Sequence, residues 1–123
     1  MMDPRILIVE DDRYIRKALA RLLESEGYVV DVAENGQQAL DNLHQAAELP
    51  QLIILDLMMP VLDGFQFRER QARLPRLAGI PVVIMTADGH IDAKKMRIGA
   101  VAALRKPADV EEILKTVKQH TLH

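Results

Sequence analysis

The segment LIILDLMMP, residues 52–60, decides the fold of this chain. It opens with four consecutive branched apolar residues, Leu52 to Leu55, and an acid, Asp56, follows them directly. A short apolar run without alternation indicates a strand buried on both faces, which is typical of the centre of a parallel sheet. In open sheets of this kind, ligands bind beyond the carboxyl ends of the strands, so Asp56 lies at a candidate site.

Strand-like and helical segments alternate on both sides of this run. The other predicted strands are residues 6–9, 28–33, 80–85 and 101–104. Apolar residues recur at helical spacing in residues 15–23, 39–47, from 64 onward, 91–98 and 110–117. We expect Asp12 to cap the first helix, and Asp109 with Glu112 to form a capping box on the last. Five βα units predict an α/β fold, a doubly wound five-stranded parallel sheet with helices on both faces.

Composition limits the function classes that this chain can belong to. Its 123 residues fit one domain, 1–123, and 49% hydrophobic with 28% charged residues is typical of a soluble globular protein. The net charge of -2 argues against nucleic-acid binding, and the absence of cysteine excludes disulfides and thiolate chemistry. No apolar run is long enough for a membrane span and the start, MMDPR, has no signal-peptide character, so we expect a cytoplasmic protein.

Polar residues follow four of the predicted strands. Glu10 and Asp11 come after the first strand, Asp56 after the third, Thr86 after the fourth and Lys106 after the fifth. Each alone is most simply a turn or capping residue, or a solvated loop lysine. The carboxyl ends of parallel strands meet at one edge, so the five side chains should converge there.

Three acids at one edge require a compensating charge. Two carboxylates about 4 Å apart repel by ~4 kcal/mol at an effective dielectric of 20. A divalent cation relieves this repulsion, and Mg²⁺ is favoured because it takes oxygen ligands and bridges carboxylate to phosphate. No calcium-binding EF-hand loop is present, and the four histidines are too scattered for zinc. A carboxylate beside a cation, a lysine and a hydroxyl has the parts for phosphoryl transfer onto aspartate.

An ordered set of short motifs resembles the signature of the response-regulator receiver family of two-component signalling. The motifs, which span nearly the whole chain, are Glu10-Asp11, Asp56 with Met59-Pro60 and Asp63-Gly64, Thr86-Ala87, Gly99-Ala100 and Lys106-Pro107. The resemblance implies a flavodoxin-like strand order and a stand-alone domain similar to the chemotaxis regulators. It also implies a cis peptide at Lys106-Pro107.

The resemblance also implies a cation site. Asp11 and Asp56 would bind Mg²⁺ or Mn²⁺ directly, and the backbone carbonyl of Met58 would add a third protein ligand. Glu10 would contribute through a water molecule.

Asp56 would be the phosphoacceptor, and a sensor histidine kinase or phosphotransfer protein would supply the phosphoryl group. Lys106 would pair with Asp56 or its phosphate. The Thr86 hydroxyl would move to bond the phosphoryl oxygen, and an unknown downstream protein would read that change. The domain would assist its own phosphorylation and dephosphorylation without being a turnover enzyme, and would bind neither nucleic acid nor membrane.

The sequence departs from the family pattern at three places. Ala103 stands where an aromatic residue commonly reports phosphorylation to the output face. Residues 101–104 are apolar, which predicts a well-buried strand or, alternatively, a docking surface. Arg68 and Gln71 replace residues that are usually apolar, and we expect their polar ends to reach water.

Two other functions remain open at this point. A magnesium-dependent phosphohydrolase would need a second acid two residues after the nucleophile, where this chain has Met58. A receiver-like docking module that is never phosphorylated would explain Ala103, but this chain keeps the acceptor, the acidic pair and the lysine. The chain is a stand-alone regulator or a fragment of a larger regulator or hybrid kinase, and the Met1-Met2 start slightly favours the first.

Overall fold

The computed structural model describes residues 3–121, in which five strands alternate with five helices. The strands are β1 (Arg5–Val9), β2 (Val29–Ala33), β3 (Leu52–Asp56), β4 (Val82–Thr86) and β5 (Ala102–Arg105). The helices are α1 (Arg13–Ser25), α2 (Gly36–Gln45), α3 (Gly64–Ala72), α4 (Ile91–Ile98) and α5 (Val110–Gln119). Neighbouring strands pair in parallel in the order β2-β1-β3-β4-β5, which confirms the predicted doubly wound sheet. None of the helices in this part of the chain is both long and apolar enough to cross a membrane.

The two faces of the sheet bury separate apolar layers. All five residues of β3 are buried, because this central strand is covered on both sides. Leu55 contributes to the layer beneath α2, α3 and α4, and Ile54 contributes to the layer beneath α1 and α5. The helical residues in the two layers include Leu40, Leu43, Phe67 and Ile98 on the first side and Leu19, Leu23, Ile113 and Val117 on the second.

The predicted helix cap is present at α1 but not at α5. Asp12 caps α1 as predicted, since its Oδ1 accepts from the backbone N–H groups of Tyr14 at 2.8 Å and Ile15 at 3.0 Å. The predicted capping box on α5 is wrong, because Asp109 occupies the N-cap position but makes no side-chain capping bond. A complete capping box lies instead at α3, where Asp63 and Gln66 bond reciprocally.

The strands β4 and β5 begin later than predicted. β4 starts at Val82 because Pro81 has no N–H to donate, although the Pro81 carbonyl still accepts from Ile53 N at 3.0 Å. The prediction of a well-buried strand over residues 101–104 is wrong for most of the run. Val101 is 39% exposed and the first two residues of β5 are half-buried, so only Leu104 is fully enclosed.

The polar residues of α3 do not both behave as expected. The prediction that the end of Gln71 reaches water is wrong, because the residue is 0% exposed. Its Nε2 donates to the carbonyls of Leu77 at 2.9 Å and Ile80 at 3.1 Å, in the turn that follows the helix. Arg68 is half-buried, and its Nε donates to the carbonyl of Ile98 at 2.9 Å, at the end of α4.

Candidate functional site

Three carboxylates meet at the carboxyl edge of the sheet. Val9 pairs with Leu55 across β1 and β3, so the residues after β1 lie beside the end of β3. Glu10, Asp11 and Asp56 each offer an oxygen, and these oxygens all lie within 4.8 Å of one another. Glu10 is 1% exposed and Asp56 is 4% exposed, whereas Asp11 faces solvent. The expected convergence of the three acids is confirmed.

Lys106 joins this cluster from the end of β5. Its Nζ lies 2.5 Å from Oε1 of Glu10 and 3.3 Å from Oδ1 of Asp56. The Lys106 backbone N–H donates to the Thr86 carbonyl at 2.9 Å, which holds the residue beside the end of β4. Burial alone would lower the pKa of Lys106, but its bond to Glu10 and the charge of Asp56 outweigh burial and raise that pKa. The side chain therefore remains a cation at neutral pH.

The electrostatics of the cluster separate Asp56 from Asp11. Burial, followed by the hydrogen bonds and charge of the neighbouring acids, raises the pKa of Asp56 to about 8. Burial also acts to raise the pKa of Asp11, but hydrogen bonds with Asp56, with Glu10 and with the backbone, together with the charge of Lys106, bring the net pKa below its usual value. Without a cation, the cluster thus retains a proton that sits mainly on Asp56.

Thr86 ends β4 next to the cluster. The preceding residue, Met85, pairs with Asp56 in the sheet, and Thr86 itself is fully buried. The Thr86 hydroxyl accepts from the backbone N–H of Asp88 at 3.2 Å. The hydroxyl is therefore held at the end of its own strand, one residue beyond the level of Asp56.

The loop after β3 wraps closely around Asp56. Oδ1 of Asp56 accepts from the backbone N–H of Met58 at 3.2 Å, and the Met58 side chain is 61% exposed. Gly64 donates its N–H to the Leu57 carbonyl at 3.1 Å, and a Cβ added to it would lie 2.8 Å from the Asp56 carbonyl oxygen. Only glycine lets the start of α3 approach the strand end this closely.

The structure adds one residue that the sequence reasoning missed. Arg16 of α1 donates to the carbonyls of both Glu10 and Asp11. No sequence motif marked it, because an arginine on an amphipathic helix is ordinarily a solvated residue.

The cis peptide expected at Lys106-Pro107 is confirmed.

The donor set suits a hard divalent cation. It consists of carboxylate oxygens of Glu10, Asp11 and Asp56, and it contains no sulfur or imidazole. Such a set fits Mg²⁺, which prefers oxygen and usually keeps several of its waters. The exposure of Asp11 leaves the cluster open to solvent on one side, which allows for those waters.

A parallel sheet in this order, with an acidic pair, a central aspartate, a hydroxyl and a lysine at one edge, defines the receiver class of signalling domain. This chain belongs to the response regulator receiver family: the family model "Response regulator receiver domain" matches residues 6–118. Receiver domains bind Mg²⁺ at an acidic site, interact with histidine kinases or phosphotransfer proteins, and act as phosphoacceptor switches in two-component signalling.

The chain is also similar to individual curated proteins. It is 38% identical over 122 residues to the sporulation initiation phosphotransferase F of Bacillus subtilis, a match that covers 98% of this chain and 95% of that protein. It is 45% identical over 120 residues to the DNA-binding dual master transcriptional regulator RpaA of Synechocystis, covering 94% of this chain and 48% of the relative. It thus spans nearly all of some relatives and about half of others.

Solved structures share the fold. The Vibrio cholerae chemotaxis protein CheY4 superimposes with a TM-score of 0.87 at 29% identity, covering 97% of this chain and 99% of that one. The receiver domain of the Pseudomonas aeruginosa sensor histidine kinase PA1611, solved with a magnesium ion in its active-site cleft, gives a TM-score of 0.86 at 23% identity. That match covers 97% of this chain and 98% of the neighbour.

Proposed function

We propose that this chain is a phosphoacceptor switch in which Asp56 takes a phosphoryl group from a phosphohistidine. The observation that supports this most strongly is the surroundings of Asp56, an almost fully buried carboxylate. Glu10 and Asp11 lie beside it, and the ammonium of Lys106 lies 3.3 Å away. Isolated buried carboxylates are costly, so a cluster that combines two buried carboxylates and an exposed one with a lysine indicates chemistry.

The same acids would hold the cation. We assign Asp11, Asp56 and the backbone carbonyl of Met58 as direct ligands of Mg²⁺ or Mn²⁺, and Glu10 as a ligand through water. Glu10 suits an indirect role because one of its oxygens contacts Lys106 and the other accepts from Asp12 N at 3.1 Å. When bound, the cation neutralises charge that builds up on the phosphoryl oxygens.

The transfer itself needs only one nucleophile from this chain. An ionised Asp56 oxygen attacks phosphorus, the bond from phosphorus to the donor's imidazole nitrogen breaks, and the electron pair stays on that nitrogen. An acyl phosphate on Asp56 results. Catalysis in such transfers comes mostly from positioning and electrostatics, and the ammonium of Lys106 is already held beside the acceptor oxygen.

Lys106 and Thr86 would respond to the new charge. Lys106 would turn from Glu10 towards the phosphoryl oxygens, because those oxygens carry more charge. The Thr86 hydroxyl would exchange its bond to Asp88 N for one to the phosphoryl group. That exchange would displace the start of the β4–α4 loop, which a downstream protein could read.

We further propose where this switch acts and which classes of protein it interacts with. Residues 1–123 would act as one receiver domain in the cytoplasm, phosphorylated by a sensor histidine kinase or phosphotransfer protein. It would act through a downstream protein, without binding nucleic acid or membrane. It would not be a turnover enzyme, because Met58 stands where a phosphohydrolase of similar fold needs a second acid.

The decisive experiment is incubation with acetyl phosphate, with and without Mg²⁺, followed by intact-mass measurement. We expect one phosphoryl adduct that depends on Mg²⁺ and is released by hydroxylamine. Asp56→Asn should abolish the adduct, whereas Asp31→Asn, which changes an exposed strand residue, should not. An adduct that persists in Asp56→Asn would contradict the assignment.

One observation favours a second function, docking without phosphorylation. Ala103 packs half-buried against the apolar layer beneath α4 and has no ring that could swing in response to Thr86. If the protein takes up no phosphoryl group under the conditions above, yet binds a partner with unchanged affinity after Asp56→Asn, docking is the better account.

A further inference from the structure

Arg16 donates hydrogen bonds to the backbone of the two acids that follow β1. One guanidinium nitrogen, Nη1, donates to the carbonyl of Glu10 at 2.9 Å and to the carbonyl of Asp11 at 3.2 Å. The Arg16 side chain is only 12% exposed, although it belongs to a helix that faces solvent on its other side. A largely buried arginine that bonds two consecutive carbonyls has a fixed position, unlike a solvated one.

These two carbonyls lie where the chain leaves the sheet. Glu10 N still donates to the Ala33 carbonyl at 3.0 Å, so the strand pairing reaches this residue on its amide side. Beyond it, Asp12 begins the cap of α1, and its carbonyl accepts from Arg16 N at 2.9 Å. The two carbonyls between strand and helix need other donors, and the partly buried Glu10 carbonyl would be costly to leave unpaired. Arg16 supplies a donor for both.

We propose that Arg16 is a positioning residue for the cation site, because it fixes the peptide from which the Glu10 and Asp11 side chains project. This inference rests on the proposed function, since it concerns the same acids. If the two carbonyls are released, that peptide can rotate and turn the carboxylate of Asp11 away from Asp56. Groups that orient metal ligands commonly change metal affinity by about 10- to 100-fold when removed.

Two simpler roles for Arg16 have to be distinguished from positioning. It could serve only as a surface ion pair with Glu34, but the two atoms are 3.8 Å apart and Glu34 is 63% exposed, which makes that pair weak. It could also serve only to stabilise the fold, with no influence on the acids. The positioning role differs from both because it predicts a change in cation affinity.

The direction of that change is diagnostic. Removing a positive charge near an acidic cluster would, by electrostatics alone, strengthen the binding of a second cation. Losing the fixed geometry of Asp11 would weaken it. A substitution of Arg16 that removes both its charge and its hydrogen-bond donors should therefore strengthen Mg²⁺ binding if the charge effect dominates. It should weaken Mg²⁺ binding if the loss of positioning dominates, which is the result that the proposal predicts.

The experiment is an NMR titration of backbone amide shifts with MgCl₂, run on wild type and on Arg16→Met. This variant keeps an apolar side chain of similar length but lacks the guanidinium group that donates to the two carbonyls. We expect the dissociation constant for Mg²⁺ to rise about 10-fold in Arg16→Met. Arg16→Lys keeps the charge and can reach one carbonyl, so it should recover part of the affinity. Lys17→Met, which removes a charge from the next, exposed residue of α1, should bind Mg²⁺ as wild type does.

Stability is controlled separately. Val117→Ala, a core truncation two turns after the start of α5, should lower the unfolding temperature yet leave Mg²⁺ affinity unchanged. Unchanged or tighter Mg²⁺ binding in a folded Arg16→Met protein would overturn the positioning role. A wild-type protein that binds no Mg²⁺ would overturn the proposed function along with it, whereas normal wild-type binding with no effect of Arg16 would overturn this inference alone.

Discussion

The ammonium of Lys106 lies 2.5 Å from Oε1 of Glu10, closer than it lies to the central carboxylate Asp56 at 3.3 Å. The lysine therefore acts as an internal counter-ion of the acidic cluster. The 2% exposed side chain of Glu10 and the 17% exposed side chain of Lys106 make this a largely buried pair. Removal of one partner of such a pair leaves an uncompensated buried charge, which is strongly destabilising.

Lys106→Met should therefore lower the unfolding free energy by about 3 kcal/mol in EDTA. Saturating Mg²⁺ should restore much of this loss, because the cation takes over the neutralisation. Labelling by acetyl phosphate should nevertheless become slower, since the variant lacks the ammonium beside the acceptor oxygen. Urea denaturation in EDTA and in Mg²⁺ measures the first two effects, and Lys118→Met on the exposed face of α5 is the control. Equal destabilisation by both variants would contradict this account.

The raised pKa of Asp56 makes the stability of the cation-free protein depend on pH. The folded protein holds a proton on Asp56 up to about pH 8, whereas the unfolded chain releases it near the usual value of 3.8. The folded state binds more protons in this window, so its stability is greatest below about pH 4 as far as Asp56 is concerned and falls as pH rises towards 8. The slope is at most about 1.4 kcal/mol per pH unit. The lowered pKa of Asp11 acts in the opposite direction, but only below this window.

Chemical denaturation in EDTA at several pH values between 5 and 8 measures this slope. Asp56→Asn should flatten it, because the amide does not titrate, while the four histidines remain the same in both proteins. The same proton competes with the cation, so Mg²⁺ should bind more tightly at pH 8 than at pH 6 and should release protons on binding. A wild-type slope no steeper than that of Asp56→Asn would argue against the shifted pKa.

The fold and the acidic site could be predicted from the sequence because both follow from strand ends. An unbroken apolar run such as residues 52–55 identifies a central strand, and the parallel arrangement then brings the residues after each strand to one edge. Asp56 and Lys106 are far apart in sequence, yet they meet because Asp56 ends β3 and Lys106 directly follows β5. No side-chain detail was needed for that inference.

Hydrogen bonds that depend on the rotamer of a long or polar side chain could not be predicted in the same way. Gln71 was expected to reach water, but it turns inward because the carbonyls of the turn after α3 need donors. The spacing of Asp109 and Glu112 matched a capping box that does not form, since spacing does not fix the rotamer of the capping side chain. Arg16 left no sequence signal because its partners are backbone carbonyls, which every residue has.

Gly64 should be indispensable for the shape of the site. A Cβ at this position would lie 2.8 Å from the Asp56 carbonyl oxygen and from Cα of Leu57, both of them backbone atoms that cannot easily move. Gly64→Ala should therefore destabilise the protein by about 1–3 kcal/mol and slow acetyl phosphate labelling. Gly79→Ala is the matched control, because a Cβ there meets nothing within 4 Å, and its stability should stay the same or increase. Similar losses for the two variants, measured by urea denaturation, would contradict the close approach at Gly64.

Val61, in the loop after β3, adopts a conformation that is unfavourable for its side chain. Its φ of 70° lies in the left-handed region, which β-branched residues rarely enter, and its side chain is 80% exposed, so packing compensates little. Asparagine tolerates this region without the unfolded-state entropy of glycine. Val61→Asn should therefore raise the unfolding free energy by about 1 kcal/mol, measured by urea denaturation. Val110→Asn, at another exposed valine whose φ is negative, should give no gain, and a gain of equal size there would mean that polarity rather than backbone strain is responsible.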